Sequence, residues 1–166
     1  MTAVGDIAVR MGELAVSSTT GDVLVSLGLG SCIGLALVDQ RRGIAGLAHI
    51  MLPEAIPGGG PAGKFADLAV PELLKQTTAL GTTRGVLKAV LVGGAQMFSL
   101  GKGSGLDTGG RNETAVRALL AAERIPVVAS ATGGSTGRTI RVFPGGAVLS
   151  KEAGGAEIEL MSGVRA

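Results

Sequence analysis

The chain is poor in aromatic and reactive side chains. Its 166 residues include no tryptophan, no tyrosine, three phenylalanines, one cysteine and one histidine. Three phenylalanines cannot provide stacking platforms for single-stranded nucleic acid. The 15 basic and 13 acidic residues are spread along the chain, so no basic cluster predicts nucleic-acid binding either. A single cysteine excludes an internal disulfide, which indicates a reducing compartment, the cytoplasm.

Long apolar runs are also lacking. The longest uncharged stretch, residues 23–38, has sixteen residues and is interrupted by Ser26, Ser31 and three glycines. A helix needs about 20 apolar residues to cross a bilayer, so this stretch is too short and too broken. The beginning of the chain lacks the basic patch and apolar segment of a secretion signal. We therefore expect no membrane insertion and no export.

Glycine and aliphatic residues are abundant instead. The chain has 29 glycines, and apolar residues make up 46% against 17% for charged ones. This balance excludes intrinsic disorder and predicts a core of Val, Ile, Leu and Ala. Glycine without a Gly-X-Y period indicates tight turns or close backbone approaches. The length predicts a single domain over residues 1–166.

Apolar alternation and turn residues predict about eight strands and two helices. Their order is not a regular βαβ alternation, which favours an α+β fold with mixed or antiparallel sheets, sandwich-like, and the two helices packed outside. One helix is predicted over residues 64–80, and the other is predicted to begin at Asn112 as its N-cap. The predicted strands are 7–17, 22–29, 33–38, 44–52, 86–92, 127–131, 139–143 and 147–150.

Cys32 and His49 are the only residues of their types. Each type is often an ordinary buried side chain, and that interpretation stays open. However, Cys32 begins one predicted strand and His49 lies near the end of the next. A hairpin turning at residues 39–43 would bring them into cross-strand contact. A thiol beside an imidazole base can attack an amide or ester carbonyl, and the imidazole can then protonate the leaving group.

Residues around Cys32 complete the predicted site. Ser26 lies six positions before Cys32 and would share its strand face in an extended chain, so it is a candidate to orient the imidazole. Gly28 and Gly30 leave the backbone near the thiol open to a substrate and to oxyanion-stabilising amides. We predict that Gly30 and Ser31 contact the substrate. This chemistry calls for no metal and no cofactor.

Several blocks of sequence carry a resemblance to a known family. The chain resembles the CheD family of bacterial and archaeal chemotaxis proteins, and its Gly-Ser-Cys followed by His-x-Met-Leu-Pro is the specific pattern. The resemblance implies a cysteine hydrolase that converts glutamines of chemotaxis receptors to glutamates and releases ammonia. We expect receptor glutamyl methyl esters as further substrates, since their hydrolysis uses the same acyl transfer. The matching blocks are 27–32, Asp39 with 41–44, 49–53, 64–67, 93–98, 110–112, and 133–134 with 137–138.

The resemblance also implies residue roles. The nucleophile falls on Cys32, the general base on His49, and the third catalytic position, a threonine in the family, on Ser26. Serine keeps the hydroxyl but lacks the methyl group that restricts the threonine rotamer.

A family docking element, Gly-Ala-x-x-Phe, falls on Gly94, Ala95 and Phe98. It implies contact with receptor helices and with a CheC-type phosphatase. From the residues alone, a core position for Phe98 is as good an interpretation. Two other functions stay open: a binding module for the phosphatase or receptor with little catalysis, and a cysteine hydrolase of a small amide.

Overall fold

The structure is a computed structural model that describes residues 5–96 and 107–165. Its described part contains ten strands, two α-helices and two short 3₁₀ turns. The strands are β1 (Asp6–Ala8), β2 (Leu14–Ser17), β3 (Val23–Leu29), β4 (Ile33–Asp39), β5 (Ile44–Ile50), β6 (Lys88–Gly93), β7 (Val127–Thr132), β8 (Arg138–Val142), β9 (Val148–Glu152) and β10 (Glu157–Met161). The helices are α1 (Ala66–Ala79) and α2 (Thr108–Ala122), and the 3₁₀ turns are Ala62–Lys64 and Arg84–Val86.

The strands form two five-stranded mixed sheets. One has the order β1-β3-β8-β9-β10 and the other β2-β5-β4-β6-β7. The pairs β1–β3 and β6–β7 are parallel, whereas the remaining pairs are antiparallel. Every residue of β4 and β5 is buried, because one face of these strands meets the first sheet and the other face meets the helices. The predicted α+β, sandwich-like fold is confirmed.

Both helices pack on the outer face of the second sheet. Leu73 of α1 and Val116 of α2 belong to one apolar cluster with Leu35 of β4. The helix predicted over 64–80 is therefore confirmed, with Pro71 inside it. Neither described helix combines the length and the apolar character needed to cross a membrane.

The predicted start of α2 is wrong. The N-cap is Asp107, whose side chain accepts a hydrogen bond from the Gly110 N–H, and the helix begins at Thr108. Asn112 lies inside the helix and is fully buried. Asp and Asn are equally good cap residues. The pair Gly109-Gly110 before Asn112 is typical of a loop, but in the structure it forms the first turn of the helix.

Two strand predictions also differ from the structure. The run 7–17 is two strands in different sheets, since the chain turns at Gly12, where φ is +80°. Strand β10 was not predicted, because its sequence is largely exposed and pairs only along one edge, with β9. The other predicted strands are confirmed within a few residues at each end.

The end of β6 packs directly against the turn that carries Cys32. Gly93 has φ +113°, and a Cβ atom there would lie 2.2 Å from the Cys32 carbonyl oxygen. The Gly94 N–H donates to that same oxygen at 2.8 Å, and the Ala95 N–H donates to the Gly30 oxygen at 2.8 Å. The turn before β4 is thus held by the backbone directly after β6. A Cβ atom at position 93 would block this close approach, so the position requires glycine.

We expect Gly93→Ala to destabilise the fold far more than Gly21→Ala. Gly21 also has a positive φ, +97°, but no atom lies within 4 Å of its hypothetical Cβ, so it is a control for backbone strain alone. Strain of this kind costs about 1–3 kcal/mol. The added clash at Gly93 should bring the loss above about 4 kcal/mol. Urea unfolding measures both values, and equal losses would contradict the close approach.

Candidate active site

Strand pairing places Cys32 and His49 on the same hairpin. In the β4–β5 ladder Ile33 faces Ile50 and Gly34 faces His49. Cys32 directly precedes this ladder. If its register were extended by one residue, Cys32 would lie opposite Met51 and diagonal to His49 on the same face. Diagonal neighbours in a sheet are about 7–8 Å apart at their Cα atoms, within reach of long side chains. The predicted hairpin is confirmed.

The His49 ring is oriented by a backbone carbonyl. The side chain is buried, and its Nδ1 lies 3.1 Å from the carbonyl oxygen of Val9, the residue that follows β1. A carbonyl oxygen can only accept, so Nδ1 carries the proton and donates it. In the neutral imidazole the other nitrogen, Nε2, is then unprotonated. The ring therefore has a free lone pair on Nε2, which can accept a proton.

Ser26 reaches the same carbonyl. Its side chain is completely buried, and its Oγ donates to the Val9 oxygen at 2.8 Å. The structure thus brings Ser26 and His49 together at a shared acceptor, and the serine influences the imidazole through Val9. The importance of Val9 was missed by sequence reasoning because a backbone carbonyl leaves no side-chain signature.

Burial keeps the thiol and the imidazole neutral in the free protein. Removal from water raises the pKa of the half-buried Cys32 thiol above its ordinary value. It also lowers the pKa of His49, an effect that outweighs the hydrogen bond to Val9 and the nearby charge of Glu13, which both raise it. At neutral pH His49 is therefore available to accept a proton, and the thiol still carries its own.

The turn around Cys32 is fixed by partners from several elements. Asn112 of α2 donates through Nδ2 to the Ser31 carbonyl at 3.0 Å and to the Met51 carbonyl at 2.9 Å. Gly30 and Ser31 are partly exposed next to the thiol, so contact of both with a substrate stays a prediction. Within the part of the chain that the structure describes, the Cys32 N–H has no hydrogen-bond acceptor. This N–H is a candidate donor to an oxyanion.

Two residues of the predicted docking element are buried in this structure. Gly94 and Ala95 are buried, and their N–H groups hold the Cys32 turn. Contact of these two residues with a partner stays a prediction. Phe98 lies outside the described residues, and its role stays a prediction.

A cleft of about 630 Å³ borders His49. A bulge in β3 between Ser26 and Leu29 interrupts its pairing with β8, and Leu27 in this bulge is 72% exposed. Cys32 is not part of the cleft wall. The lining residues are Asp6, Ala8, Val9, Arg10, Met11, Val25, Leu27, His49 and Arg141.

The described residues offer the candidate site no metal-binding set. Across residues 5–96 and 107–165, no three His, Cys, Asp or Glu side chains are grouped so as to hold a metal ion. The functional groups of the candidate site are the thiol, the imidazole, a buried hydroxyl and backbone amides and carbonyls.

Fold and site together define the class of protein. It is an α+β sandwich in which one hairpin positions a cysteine and a histidine near each other. A family model described as CheD chemotactic sensory transduction matches residues 51–152. A relative from Symbiobacterium thermophilum, named "Probable chemoreceptor glutamine deamidase CheD", is 43% identical over 158 residues, 92% of this chain and 96% of its own length. The chain belongs to the CheD family.

Other relatives carry the same name. One from Clostridium kluyveri is 45% identical and covers 70% of this chain and 74% of its own. One from Geobacillus kaustophilus is 42% identical, and the match covers 83% of this chain and 87% of the relative's own length. The family-model match begins after His49. The Symbiobacterium match leaves only 8% of the 166 residues uncovered, about 13, so its aligned stretch includes Ser26, Cys32 and His49.

We expect Cys32 to react with iodoacetamide as a buried neutral thiol. The alkylation rate should rise with pH to a midpoint above that of the urea-unfolded chain, which supplies the free-thiol reference near pH 8.5. Burial disfavours the thiolate, so the folded pKa lies on the alkaline side of the unfolded one. A folded midpoint below the unfolded midpoint would show a resting thiolate–imidazolium pair and contradict this electrostatic description.

Proposed function

We propose that this chain deamidates glutamine side chains of chemotaxis receptors, with Cys32 as the nucleophile and His49 as the general base. The observation that carries the proposal is the hydrogen bond from His49 Nδ1 to the Val9 carbonyl, because it leaves Nε2 unprotonated on a ring next to the thiol's turn. The names of the relatives supply the substrate: each is a probable chemoreceptor glutamine deamidase.

The first half of the reaction forms a thioester. The Cys32 sulfur attacks the side-chain amide carbon of the glutamine while its proton passes to His49 Nε2. The amide oxygen becomes an oxyanion, which backbone N–H groups around the turn stabilise. When the tetrahedral intermediate collapses, the C–N bond breaks and the imidazolium gives its proton to the leaving nitrogen. Ammonia leaves, and the glutamyl group stays bound to sulfur.

The second half hydrolyses the thioester. His49 Nε2 takes a proton from a water molecule, whose oxygen attacks the acyl carbon. The C–S bond then breaks, the sulfur regains its proton from the imidazolium, and the receptor carries a glutamate. A glutamyl methyl ester would follow the same path with methanol as the leaving group, so we propose esters as a second substrate class.

Two further proposals concern the compartment of the protein and a partner. We place the protein in the cytoplasm, where its single cysteine stays reduced. We also propose a CheC-type phosphatase as a partner, with Phe98 as its contact.

We expect Cys32→Ala to abolish deamidation, since no other thiol exists in the chain. The experiment incubates receptor fragments from the same source with the protein and follows the Gln-to-Glu mass increment and the ammonia released. Ile158→Ala, at a 53% exposed position in β10, is the matched surface control and should keep full activity.

Two outcomes contradict the proposed function. One is the absence of any mass change with the wild-type protein. The other is deamidation by Cys32→Ala at the wild-type rate. Receptor signalling that is intact in Cys32→Ala but lost in Phe98→Glu would instead support the binding-module alternative.

A further inference from the structure

Asn112 occupies a position where the fold favours an apolar residue. The buried residues of α2 are Gly109, Asn112, Val116 and Leu120, which recur at helical spacing along its core-facing side. Val116 and Leu120 join the apolar cluster between helix and sheet. Asn112 is completely buried on that same side, and its Oδ1 has no partner among the described residues. A buried acceptor without a partner destabilises a fold.

The other end of this amide makes two hydrogen bonds at the site. Both go from Nδ2, one to the carbonyl of Ser31, directly before the thiol residue, and one to the carbonyl of Met51, two residues after His49. The partners lie 81 and 61 residues away in sequence. One side chain of α2 thus ties together the ends of the two strands that carry the thiol and the imidazole.

The bond to Ser31 also fixes the direction of the Cys32 N–H. All described peptide bonds are trans, and in a trans peptide the C=O and the N–H point in opposite directions. Because Asn112 holds the Ser31 carbonyl, the N–H of the same peptide unit, which belongs to Cys32, points away from Asn112. The next peptide unit is held by the Gly94 N–H on the Cys32 carbonyl at 2.8 Å. Both peptide units around the nucleophile are therefore anchored.

We propose that Asn112 is a positioning residue of the deamidation reaction: it aligns the Ser31–Cys32 peptide so that the Cys32 N–H donates to the oxyanion. This inference rests on the proposed function. Asn112 touches neither substrate nor thiol. It acts only through the peptide unit that it holds, so its loss should weaken stabilisation of the transition state and leave substrate binding and thiol ionisation unchanged.

The test compares Asn112→Leu and Asn112→Ala with Val116→Ala. Asn112→Leu and Asn112→Ala both remove the two hydrogen bonds that Nδ2 donates, but they leave side chains of different volume. Val116→Ala disturbs the same helix face one turn further on. We expect both Asn112 variants to lower kcat for receptor deamidation by about tenfold or more. Their KM should stay within about twofold, as expected for an interaction made only in the transition state. Val116→Ala should lower Tm about as much as the Asn112 variants do, but it should leave kcat unchanged.

Iodoacetamide alkylation of Cys32 is the second readout, because it consumes the thiolate without forming an oxyanion. We expect an unchanged alkylation rate in the Asn112 variants. The inference is overturned if kcat falls no further than in Val116→Ala, or if alkylation slows in parallel with kcat. Failure of the proposed function would look different, since the wild-type protein would then leave the receptor mass unchanged or Cys32→Ala would still deamidate receptors.

Discussion

The carbonyl oxygen of Val9 accepts two hydrogen bonds, and the orientation and tautomer of the His49 ring depend on them. His49 Nδ1 donates to it at 3.1 Å and Ser26 Oγ at 2.8 Å. The first bond selects the tautomer in which Nε2 is unprotonated, as the proposed role of general base requires. The second, from a completely buried hydroxyl, holds the acceptor in place. A backbone carbonyl thus takes the orienting role that a carboxylate fills in many catalytic triads.

Burial and hydrogen bonding work in opposite directions at His49, and burial dominates. The pKa of the imidazole is lowered and the pKa of the Cys32 thiol is raised, so both groups are neutral at rest. Such a pair does not hold a standing thiolate. It suits a reaction in which proton transfer accompanies attack, and it leaves the only thiol of the chain less open to oxidation between turnovers.

Sequence reasoning succeeded where the determining contacts are local. The β4–β5 hairpin follows from two apolar runs and one charged turn, and it carries the only His, with the only Cys directly before its first strand. It failed where contacts are distant. Asn112 was interpreted as a helix cap, since nothing near it in sequence indicates bonds to residues 81 and 61 positions away. The β3 bulge breaks the regular alternation that would put Ser26 and Cys32 on one strand face, and Ser26 meets His49 through the Val9 carbonyl instead.

The central claim is that deamidation passes through a thioester on Cys32. Hydroxylamine, a stronger nucleophile than water, tests it directly, because it competes only for an acyl-enzyme that already exists. With receptor fragment and wild-type protein, added hydroxylamine should divert the product from glutamate to glutamyl hydroxamate without slowing the release of ammonia. Glutamate as the only product at every hydroxylamine concentration, with no hydroxamate above the protein-free control, would contradict the account.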